Sequence, residues 1–118
     1  MQLRRIRAAT VATPCLEATA AALSDLLEYR VRDRSSVSPE LAALWQAPAM
    51  TGRATVSLSS DEYPDVWLRL VEVSAVNEHR PFWSFGWNSF EISVAGLDAL
   101  YLRLQQDTSG FFRIRGEP

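Results

Sequence analysis

Cysteine occurs once, at Cys15, so no intrachain disulfide can form and a reducing, cytoplasmic setting is the expectation. Histidine is also single. His79 stands between Glu78 and Arg80 and reads as a solvated loop residue rather than a catalyst. Long apolar runs are missing, and nothing approaches the roughly 18 residues that a membrane span needs. The apolar stretch after Arg4, Arg5 and Arg7 is too short and broken for a secretory signal. The 12 basic residues are scattered and the net charge is −2, so the basic patch used in specific nucleic-acid binding is lacking. Gly-rich phosphate loops, Ser-His-Asp arrangements and zinc-ligand spacings are absent as well. These absences leave neither nucleic acid nor membrane as an expected partner.

What is present suits one α+β domain. The chain has 118 residues, 47% hydrophobic and 22% charged, enough for a single core. Residues 3–12 alternate as a strand, with Ile6, Ala8, Thr10 and Ala12 on one face and Arg7, Ala9 and Val11 on the other. Thr13-Pro14 supplies a capping hydroxyl and a proline for the first helical position. Leu16, Ala20, Leu23 and Leu27 then draw one apolar stripe along a helix over 15–28. A short strand is predicted from residue 29 to 33, and Ser38-Pro39-Glu40 opens a short helix that stops before Pro48.

Ala54, Val56 and Leu58 alternate against Thr55, Ser57 and Ser59, predicting a half-exposed strand over 53–60. Turn residues at 61–65 lead into a second strand over 66–73, so the two read as a hairpin. On that second strand Val66, Leu68 and Leu70 form the core face, and Trp67, Arg69 and Val71 the other. The polar stretch before Pro81 reads as a linker. Beyond it come a strand over 85–94, a helix marked by Leu97, Leu100, Tyr101 and Leu104 that Gly110 ends, and a last strand at 111–114.

An internal echo lies within this order. Residues 10–18 (TVATPCLEA) are answered 81 positions later by residues 91–99 (EISVAGLDA), each a β-type stretch running through small residues into an amphipathic helix. The expected organisation is a first module over 1–75, a linker over 76–81 and a partial second module over 82–118.

With VATPCLEATAAALSDLLEYRV in the first half and FGWNSFEISVAGLDALYLRL in the second, the chain resembles the vicinal oxygen chelate superfamily. That group includes glyoxalase I, extradiol dioxygenases and the bleomycin-resistance proteins. The resemblance implies an α+β fold of paired βαβββ modules whose sheets curl into a trough around a small molecule. It also implies a second module truncated after one strand, either shortened or completed by a partner chain, with a homodimer as the expected assembly. The family's metal positions fall on Ala8, Ser89 and Arg69, a fourth lying beyond the chain. Alanine has no donor, serine is a weak neutral ligand and arginine does not deprotonate, so no metal and no cofactor is expected.

The same faces place Trp67, Arg69, Trp87, Ser89, Glu91 and Ser93 along the trough, a lining suited to a small planar or carbonyl-bearing ligand. Arg69 would clamp a carboxylate or enolate oxygen through its fork, and Glu91 would serve as general base if partly desolvated. A plain structural ion pair between Arg69 and Glu91 satisfies the same pattern. Three functions stay open: metal-free sequestration of a small molecule, a lyase, isomerase or epimerase acting on a carbonyl-bearing metabolite, and a module that dimerises through its sheet edges.

Overall fold

Four alternating segments build one mixed sheet in the computed structural model, which describes residues 5–74, 80, 82–84, 88–89 and 91–116. The order is β1 (Ala8–Thr13), α1 (Leu16–Leu27), β2 (Arg30–Ser36), α2 (Pro39–Leu44), a 3₁₀ turn (Pro48–Met50), β3 (Ala54–Ser59), β4 (Trp67–Glu72) and α3 (Leu97–Gln106). The chain divides into two units, Met1–Ser74 and Ala75–Pro118, and every strand found among the described residues belongs to the first. Among the described residues no helix is long and apolar enough to cross a membrane.

The sheet order is β1-β4-β3-β2. β1 runs parallel to β4, while the β3–β4 hairpin and the β2–β3 pair are antiparallel. Side-chain parity then assigns the faces. Leu68 and Leu70 stand opposite Leu58 and Val56, and all four are buried. Arg34, paired with Val56, reaches Glu17 of α1, which identifies this as the face beneath that helix. From α1 come Leu16, Ala20, Ala22, Leu23 and Leu26, so the stripe turns toward Leu26 where the spacing predicted Leu27.

On the other face α2 packs at one end. Val71 packs there with Val37 and Ala42, flanked by Leu41, Trp45 and Met50, so α2 and the 3₁₀ turn lie over Val71 and its buried neighbour Thr55. Ser38 caps α2 by accepting the Leu41 N–H at 3.1 Å, with Pro39 in the first turn. The Glu40 carboxyl lies below its ordinary value, held by its own backbone N–H and then by the Ser38 hydroxyl.

Several expectations change in detail. Of the strand expected over 3–12, residues 3 and 4 lie outside the described residues, and the strand begins at Ala8, because its ladder partner β4 begins only at Trp67. α1 starts at Leu16 with Cys15 at its N-cap, so Pro14 lies outside the helix; the Thr13 hydroxyl accepts the Cys15 N–H at 3.2 Å and bonds the Thr19 hydroxyl at 2.7 Å. Thr13 thus tightens the entry turn rather than capping the helix. Val66 precedes β4 and is exposed, not part of the core face.

In the second unit, residues 91–94 and 111–114 form no strand. Alternation makes a strand only where a neighbour offers a ladder, and no strand of this unit is found among the described residues. The remainder of the predicted 85–94 strand (85–87 and 90) and most of the predicted 76–81 linker lie outside the described residues. α3 begins at Leu97, the counterpart of Leu16 in the echo, behind Gly96 in a left-handed conformation (φ 71°). Its stripe of Leu97, Leu100, Tyr101 and Leu104 faces Ile114 across an open groove of about 260 Å³. The helical half of the echo is therefore present, and its strand half is seen only in the first unit among the described residues.

Candidate functional site

The part of the sheet face that α2 leaves free carries two rows of side chains, set by register. One row is Thr10, Arg69, Ser57 and Asp33; the next is Ala8, Trp67, Ser59 and Arg30. Strand pairing alone brings these residues together from four places in the sequence.

At the β2 edge the register slips between Val31 and Asp33, a bulge that turns Arg32 onto the same face. Arg32 Nε donates to Ser59 Oγ at 2.9 Å, and its Nη2 donates to Asp61 Oδ1 at 2.7 Å. Arg30 also donates to Asp61. The hydrogen bond from Arg30, and then that from Arg32, hold the Asp61 carboxyl below the usual aspartate value. These two cations are thus committed to an internal partner.

Arg69 has different company. Its guanidinium carbon stands 5.7 Å from the centre of the Trp45 ring, a cation–π contact. Arg69 is half-buried, yet the described residues give it no carboxylate: the ion pairs are Arg5–Asp65, Arg30–Asp61, Arg32–Asp61 and Arg34–Glu17. Asp33 shares its row but lies two strands away, about 10 Å at the usual strand spacing. Trp67, two residues before Arg69 on the same face, is 41% exposed and presents an aromatic surface beside it.

Trp67 and Arg69 therefore share one face of β4, as their spacing predicts. Ser89, Glu91 and Ser93 belong to the second unit and are exposed; Trp87 lies outside the described residues. Thr10, Ser57, Ser59 and Arg32 were not singled out as site residues from the sequence. A usable signal existed for two of them, because Ser57 and Arg69, like Ser59 and Trp67, are equidistant from Tyr63 at the centre of the hairpin turn. Arg32 depends on the bulge, which leaves no mark in the composition of β2.

Among the described residues no three His, Cys, Asp or Glu side chains cluster to hold a metal ion. No family model, curated protein or solved structure matches this chain.

Proposed function

We propose that the chain binds a small molecule on the α2-free part of its sheet face, in the manner of the glyoxalase and bleomycin-resistance proteins and without a metal. The observation that carries this reading is the asymmetry of the first unit. One face of a β1-β4-β3-β2 sheet is sealed by α1 over Leu58, Leu68 and Leu70, while the other presents Trp67, Arg69, Ser57 and Thr10. Apolar surface beside a few convergent polar groups is the usual make-up of a ligand site. Strand β1 parallel to β4 at one edge, with α1 crossing to β2 at the other, also suits a βαβββ module. The pairing of that module with a second one, in a single chain or in a homodimer, belongs to the same proposal. Metal-free binding is favoured by the donors: the ligand positions implied by the family resemblance hold alanine and arginine on this face.

Binding is tested by titrating the intrinsic tryptophan fluorescence of the purified protein with a panel of aromatic and dicarbonyl metabolites. At least one member should quench saturably, and the response should be lost in Trp67→Leu but kept in Trp83→Leu, a residue of the second unit that is 87% exposed. A panel without any saturable response, or one indifferent to Trp67→Leu, overturns the reading.

A further inference from the structure

Resting on that reading, we infer that the ligand is anchored by a carboxylate carried on a planar ring, with Arg69 as the anchor between the hydroxyls of Thr10 and Ser57 and Trp67 as the stacking surface. A half-buried guanidinium without an acidic neighbour is an unfavourable resting arrangement, because partial desolvation of a charge is offset only by hydrogen bonds or a counter-charge. Arg5, Arg30, Arg32 and Arg34 all have carboxylate partners, and Arg69 has none among the described residues. Glu72, three residues along β4, stands on the opposite face by parity and cannot serve. Trp45 lies against the guanidinium but accepts none of its N–H groups, and no hydrogen bond from the Arg69 side chain is found among the described residues, so the N–H edge is the binding element.

That edge fits the two oxygens of a carboxylate in a bidentate pair. Thr10 and Ser57 sit in register on either side of Arg69 and can donate to the same oxygens. Arg69 is the one cation of its row, which matches a single negative charge; Arg30 and Arg32, which a phosphate dianion would call on, are held by Asp61. Trp67 lies about 7 Å along the strand, a reach that places a ring attached to the carboxylate over the indole.

The test uses the full chain, with phenylacetate and its neutral isostere phenylacetamide as probes and phenyl phosphate as a third arm, each followed by tryptophan fluorescence. Phenylacetate should bind about tenfold or more tighter than the amide, and phenyl phosphate should not exceed phenylacetate. Arg69→Gln should reduce phenylacetate affinity about tenfold or more and leave the amide unchanged. Arg69→Lys keeps the charge without the fork and should not restore binding; circular dichroism confirms that both variants fold, and the acid–amide comparison in the unmodified protein stands without them. Equal binding of acid and amide, preference for the phosphate, or undiminished acid binding in Arg69→Gln overturns the carboxylate inference while small-molecule binding stands. Failure of every probe and every member of the wider panel overturns the underlying reading.

Discussion

Leu58 and Ser57 are neighbours on β3 whose side chains point to opposite faces, so truncating each in turn tests the face assignment on which the site depends. Leu58 is fully buried beneath α1, and Ser57 is half-buried in the Arg69 row. Leu58→Ala removes three carbon groups at about 0.8 kcal/mol each, or about 2.4 kcal/mol of lost transfer energy. An incompletely collapsed cavity on the order of 40 Å³ adds about 1 kcal/mol, giving about 3–4 kcal/mol in all. With a urea dependence of about 1.5 kcal/mol/M, the unfolding midpoint should fall by about 2–3 M. Ser57→Ala deletes a hydroxyl for which no hydrogen bond is found among the described residues, and stability should change by no more than about 0.5 kcal/mol. Ligand affinity should respond in the opposite order. If Ser57→Ala proves the more destabilising, or the two midpoints move together, the register is displaced by one residue and the proposed site is turned inward.

Further outcomes follow from the same structure. Ser38→Ala should lower stability by about 1 kcal/mol and Ser38→Gly by only a few tenths, read from thermal unfolding, because the lost hydroxyl caps α2. Asp61 should titrate below the ordinary aspartate value when followed by carboxyl NMR. Since its value in the folded chain is depressed, its contribution is present above the unfolded value and is lost as pH falls through the folded one. Asp61→Asn should therefore show a flatter loss of stability across that acidic window, and an unchanged slope would dismiss the Arg30 and Arg32 pairing as a source of acid sensitivity.

The first half of the chain was legible because local signals and tertiary pairing agree there. Ser38-Pro39-Glu40 opens α2, the 61–65 turn joins β3 to β4, and the alternation through Leu68 and Leu70 finds Leu58 and Val56 opposite. Thr13-Pro14 misled by two residues, since a hydroxyl before a proline can equally brace the loop that precedes a helix. In the second half, the alternation at 91–94 has no ladder partner among the described residues, while α3, whose hydrogen bonds are internal, forms where its leucine spacing predicts. Of the site, Trp67 and Arg69 were visible from period-two parity. The contact of Arg69 with Trp45 was not, because it joins residues 24 positions apart through the packing of α2 on Val71.

The bulge in β2 bears on how the sheet edge would receive an added strand. β2 closes one side of the sheet, is exposed along its whole length, and carries Arg30, Arg32 and Arg34 around a kinked ladder. A flat incoming strand would find its hydrogen-bond register interrupted and three guanidiniums in its path, an arrangement that discourages fibrillar stacking. The opposite border, β1, has the uncharged sequence Ala-Ala-Thr-Val-Ala-Thr. Among the described residues, strand addition to this sheet is thereby disfavoured at β2 and left to the β1 border.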